Sequence, residues 1–157
     1  MLDIQKVTTQ GPALESIKTL FKAYLRELNE DLCFQSFDSE IDNPLYKYSV
    51  PTGALFIATY HATPVGCIAL QPLPEAGTCE MKRLYVNPEY RKLGIGDALV
   101  NALLQEAKIL DYTLMKLDTL DRLQAAIKLY QKFGFETVNA YYDNPLPGVV
   151  YMQKKLR

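Results

Sequence analysis

The chain has 157 residues, a length at which one domain is the default. It is 48% hydrophobic and 22% charged, and its 17 basic and 18 acidic side chains give a net charge of -1, so nothing draws it at long range to nucleic acid or an anionic membrane. Cys33, Cys67 and Cys79 and the single histidine, His61, argue against a disulfide framework and against a zinc site, and no metal is expected.

No run of about 18 apolar residues predicts a membrane span. The start of the chain has no apolar segment of signal-peptide length, so a cytoplasmic, reducing location is the default expectation. Residues 2–8 alternate weakly and read as a first strand. Behind Pro12, Leu14, Ile17, Leu20, Phe21, Tyr24, Leu25 and Leu28 recur at helical spacing, which predicts a helix from Ala13 to Asn29. A short helix is expected around Ser39–Asp42, then a loop through Pro44. Residues 54–60 and 64–70 read as two strands of a hairpin linked through His61. Pro74 and Gly77 mark a turn, after which a third antiparallel strand runs over 79–86 and stops at Pro88.

A long helix follows over 94–110, then a strand at 113–118 and a helix over 122–133 that Gly134 is placed to cap. Two strands, 135–140 and 149–154, finish the chain, joined by a loop rich in tyrosine and proline. This order predicts an α/β fold of the α+β kind: a mixed, mostly antiparallel sheet of six to seven strands flanked by about four helices. Strand 79–86, the next helix and strand 113–118 form one right-handed crossover unit.

The strand-to-helix junction carries the first chemical signal. Arg91-Lys92-Leu93-Gly94-Ile95-Gly96-Asp97 sets two bases and two glycines at the start of the long helix. First-turn backbone N–H groups have no intrahelical acceptor, and the helix dipole adds positive charge there. Glycines let a phosphate approach, so the site suits a pyrophosphate. The spacing matches neither a Walker loop nor the three-glycine dinucleotide fingerprint. The preceding strand has its own irregularity. Met81, Leu84 and Val86 are its natural core residues, yet the step from 81 to 84 breaks the two-residue period. A β-bulge near Lys82–Arg83 restores the facing and splays this central strand from its parallel neighbour.

Residues 80–103, from Glu80-Met81-Lys82-Arg83 through Arg91-Lys92-Leu93-Gly94-Ile95-Gly96, resemble the central motif of the GNAT acetyltransferase superfamily. Ala126-Ile127-Lys128-Leu129-Tyr130-Gln131-Lys132-Phe133-Gly134-Phe135 resembles its second signature. The resemblance spans nearly the whole chain and implies one acetyltransferase domain over 1–157 that uses acetyl-CoA and an amine acceptor, a small molecule or a peptide. It implies that Leu84, Tyr85 and Val86 pair with the pantetheine arm. Arg91, Lys92, Leu93, Gly94, Ile95, Gly96 and Asp97 would hold the pyrophosphate. Tyr130 is implied as the acid that protonates the departing thiolate. Where many members carry asparagine, this chain has Leu123. Many relatives pair through exposed strands, which makes a homodimer a further expectation.

An alkylamine with a pKa near 10 needs a base at neutral pH. Glu80, ahead of the bulge, is the first candidate, and Asp118, at the end of the next strand, the second. Acceptor-binding candidates are Asp31, Phe34, Tyr46, Tyr141, Tyr142 and Asn144, whose acids and aromatics would suit a cationic amine. No cysteine has a histidine to activate it, so direct attack in a ternary complex is the simpler mechanism. The alternative to an enzyme is a CoA-binding regulatory or interaction module without catalysis.

Overall fold

The computed structural model describes residues 1–156, apart from the side chain of Cys33. In chain order the elements are β1 (Leu2–Lys6), α1 (Pro12–Leu28), α2 (Phe37–Asp42), β2 (Ala54–Tyr60), β3 (Thr63–Pro72), β4 (Thr78–Val86), α3 (Ile95–Ile109), β5 (Leu114–Leu120), α4 (Gln124–Lys132), β6 (Glu136–Val138) and β7 (Val149–Lys155). The strands make one seven-stranded sheet in the order β1-β2-β3-β4-β5-β7-β6. Every neighbouring pair is antiparallel except β4 and β5.

The sheet is covered on both faces, and its side-chain period of two sorts residues between them. In β2, Leu55 and Ile57 pack toward α1, joining Ile17 and Phe21. Ala54, Phe56 and Ala58 point the other way and join Leu99 and Leu103 of α3. Cys67 and Ala69 of β3 follow the first set, Ile68 and Leu70 the second. The hydrophobic core is therefore divided by the sheet into halves anchored by α1 and by α3.

Two boundaries differ from the sequence reading in ways that matter for the site. α2 begins at Phe37 rather than Ser39, because Phe37 is itself a core side chain, set edge-on to Phe21 at 6.2 Å between ring centres. β6 stops at Val138 instead of reaching Ala140. Beyond it Tyr141 and Tyr142 direct their hydroxyls at Glu80 and Asp118, which draws the chain off the sheet edge.

Candidate active site

The parallel pair of β4 and β5 is short. Thr78, Cys79 and Glu80 face Leu114, Met115 and Lys116, and no further pairing links the two strands. The cause lies on the other edge of β4. Cys67 pairs with Tyr85 and Ala69 with Lys82, so Arg83 and Leu84 together oppose Ile68. Arg83 takes the extra position with a φ of 61°, in the left-handed region that costs most side chains about 1–2 kcal/mol. The bulge restores Met81, Leu84 and Val86 to the α3 face.

A strong contact holds Arg83 there. Its Nε donates to Glu40 Oε2 at 2.6 Å and its second guanidinium nitrogen to Glu40 Oε1 at 3.0 Å. Glu40 comes from α2, and Lys47 adds a third donor at 3.3 Å. The guanidinium also lies 4.4 Å above the centre of the Phe37 ring. Burial alone would raise the Glu40 pKa, but the Arg83 hydrogen bonds and charge outweigh it and hold the carboxyl below its usual value.

Where β4 and β5 part, a cavity opens. Leu84, Leu117, Asp118, Leu123, Tyr130 and Asn144 are among its walls. Tyr130 is buried. Burial, with Tyr24 and then Asp118 adding to it, pushes its phenol well above the usual value, so it stays protonated at neutral pH. Asp118 Oδ2 accepts from the Tyr142 hydroxyl and, at 2.8 Å, from Asn144 Nδ2.

A second cavity lies toward α2 and the loop after β6. Glu80, Gln71, Lys47, Tyr141 and Glu75 line it. Glu80 is 3% exposed and not the surface ion-pair partner that a charged strand residue often is. It accepts from the Tyr141 hydroxyl at 2.5 Å and from Gln71 Nε2 at 2.7 Å. Gln35 and Lys82 belong to the walls of both cavities.

The glycine loop has the shape its sequence suggests. Gly94 caps α3 with a φ of 80°, and a Cβ built on it would meet nothing within 4 Å. The glycine thus serves the backbone turn, and the space in front of the first-turn amides is open. Gly96 is constrained differently, since a Cβ there would come within 3.2 Å of Leu129 in α4. The open amides, the turn and the parted strands together fit a long phosphorylated ligand such as CoA.

The comparisons then decide the family. A family model described as "Acetyltransferase (GNAT) family" matches residues 14–135. The chain belongs to the GNAT acetyltransferase family. A Schizosaccharomyces pombe relative, named as an uncharacterized N-acetyltransferase, is 46% identical over 144 residues, covering 91% of this chain and 88% of its own. A GNAT-family acetyltransferase structure from Staphylococcus aureus superposes with a TM-score of 0.79 at 21% identity, over 100% of both chains. A Thermoplasma acidophilum PaiA N-acetyltransferase, solved in complex with coenzyme A, gives 0.72 at 20% identity over 99% of both.

Within this GNAT fold the residues singled out from sequence separate into groups. Tyr130, Leu84, Asp118 and Asn144 meet at the first cavity. Glu80, Tyr141 and Tyr142 meet at the second. Arg91 does not point freely at the loop: its Nε donates to the Val86 carbonyl at 2.9 Å and its guanidinium to Glu27 at 2.5 Å. Asp97 pairs through its side chain with Lys132. Of the acceptor candidates, Tyr46 is 79% exposed, and Tyr46, Phe34 and Asp31 lie outside the walls of these two cavities. The sequence reading missed Gln35, Lys47 and Gln71. It also passed over Lys82 as a functional side chain, although two adjacent cations in a core strand were a visible signal.

Proposed function

We propose that the chain, as one domain over 1–157, transfers the acetyl group of acetyl-CoA to an amine by direct attack in a ternary complex. One observation carries this reading: a buried Tyr130 with a strongly raised pKa lines the gap between β4 and β5, beside the bulge residue Leu84. Acetyl-CoA supplies the reactive thioester when it is bound. Pyrophosphate binding falls to the backbone amides from Ile95 to Asp97 with Lys92, and pantetheine pairing to Leu84, Tyr85 and Val86. The freed amides at the bulge are suited to stabilise negative charge on the acetyl oxygen.

Proton movements follow from the side chains. Glu80 accepts one proton of the ammonium, freeing the nitrogen lone pair to form the new C–N bond as the C–S bond breaks, and the nitrogen then sheds its second proton to solvent. Tyr130 donates its phenolic proton to the departing sulfur and regains one from solvent. A cysteine relay finds no support: burial, reinforced by Glu80, pushes the Cys79 thiol up to about 12, and the Cys67 thiol is raised by burial too. Asp118 is a second reading for the base, favoured by its place in the same cavity as Tyr130.

The deciding measurement is thermal unfolding with acetyl-CoA, CoA, ATP and NAD, followed by thiol release with an amine panel. A ligand at about 100 times its Kd adds ~2.7 kcal/mol, a melting shift of about 5–10 °C at this chain length. The expected result is a shift with both CoA species alone, and turnover that falls at least ~100-fold in Tyr130→Phe. A shift without transfer to any amine would identify a CoA-binding module instead, and no shift would remove the cofactor site.

A further inference from the structure

Lys82 is out of place for a structural residue. It sits in the middle of the central strand, and its side chain is 6% exposed. Its ammonium carries three donors. Among the described residues it makes one hydrogen bond, to Gln35 Oε1 at 3.2 Å. The nearest carboxylate oxygen, on Asp118, is 3.9 Å away, beyond hydrogen-bond reach. The other charged neighbours are Arg83, Glu80 and Glu40. Arg83 and Glu40 are already closed on each other. Both cavities have Lys82 in their walls.

We propose that the acceptor is a free amino acid or a similarly small amine with a carboxylate, and that Lys82 binds this carboxylate where the two cavities meet. The inference rests on the acetyltransferase reading and names its substrate class. The charges match. A zwitterion brings its ammonium to Glu80 and Asp118 and its carboxylate to Lys82, and each buried charge gains an opposite partner. A polyamine carries no carboxylate for Lys82 and would set a second cation beside its buried ammonium. The site therefore favours acceptors that carry a carboxylate, not the purely cationic amine that the acids and tyrosines of the sequence suggest. The Gln35 carboxamide holds the ammonium in position, and its Nε2 donates to the Tyr142 hydroxyl at 3.0 Å.

The test compares amino acids with their own amides, glycine with glycinamide and aspartate with its diamide, by CoA thiol release. Converting the carboxylate to an amide lowers the amine pKa and leaves more neutral amine at pH 7. Basicity alone therefore favours the amide, and a preference for the acid reports recognition of the carboxylate. The expected kcat/KM ratio of acid to amide is at least ~10, collapsing toward unity in Lys82→Met and partly restored in Lys82→Arg. In the presence of CoA, the acids raise the melting temperature and the amides do not. Should Lys82→Met fail to fold, the wild-type ratio and melting shifts still decide the matter. Transfer to amines with equal rates for acids and amides would overturn the carboxylate site and leave the acetyltransferase reading standing. A Lys82→Met variant that loses both rates equally would make Lys82 structural. No transfer to any amine, with CoA binding intact, would overturn both.

Discussion

At the scale of single residues, the candidate bases differ in how they are held. Both oxygens of Glu80 accept hydrogen bonds, from Tyr141 and Gln71. Asp118 instead organises the last loop, through Tyr142 and Asn144. Glu80→Gln should keep the size of the side chain but remove the base, lowering kcat by about 100-fold or more. Asp118→Asn should act mainly through KM, because it loosens two cavity walls. Reversed effects on kcat and KM would move the base to Asp118. The sequence marked both carboxylates, Glu80 ahead of the bulge where the family resemblance implies one and Asp118 near the end of the next strand. It could not separate Tyr141 and Tyr142 from Tyr46. All three lie in irregular, tyrosine- and proline-rich stretches, and what distinguishes them is whether a carboxylate faces the hydroxyl.

Among the elements, α2 is short, at six residues, and owes its place to a tertiary contact more than to helix propensity. The contact is the Glu40–Arg83 pair, with side chains 0% and 2% exposed. Removing one partner of a buried pair costs about 3–5 kcal/mol, and Glu40→Gln should approach that range because it strands a buried guanidinium. The pair also links stability to pH. Glu40 has a folded pKa below its unfolded value, so its contribution is full above the unfolded pKa of about 4.3 and fades as acid drives it through the lower folded pKa. Melting temperatures from pH 6 to pH 3 should fall less steeply for Glu40→Gln than for the wild type. A parallel fall in both would assign the acid sensitivity to other carboxylates. This pair was hidden in the sequence, because the partners are 43 positions apart with no local period to connect them. The bulge was legible, because the step from Met81 to Leu84 breaks a period that any paired strand must keep. The glycine loop was legible for a similar reason, as its turn and phosphate chemistry both act within a few neighbouring residues.

For the molecule as a whole, the sheet divides the core into two halves that share few side chains. Ile17 in α1 and Ile68 in β3 are both fully buried, one on each side. Ile→Val at either position should cost about 0.5–1.5 kcal/mol. The two costs should sum to within ~0.5 kcal/mol in the double variant, read from denaturant midpoints. A larger deviation would mean that strain passes through the sheet from one half to the other. The division also explains why fold class could be read from the chain while the full set of cavity walls could not. Each half rests on period-two and helical patterns, whereas the cavities draw their walls from α1, β4, β5, α4 and the loop after β6.

The strand order sets a timetable for the chain as it is made. β5 gains its second neighbour only from β7, which slots between β5 and β6 although it is the last strand in the sequence. During synthesis the outer edge of β5 therefore waits unpaired, a surface prone to capture by other strands. Tyr141 and Tyr142, tethered between β6 and β7, cannot settle on Glu80 and Asp118 before β7 docks. Docking of β7 thus both closes the edge of β5 and brings the loop tyrosines onto the two carboxylates.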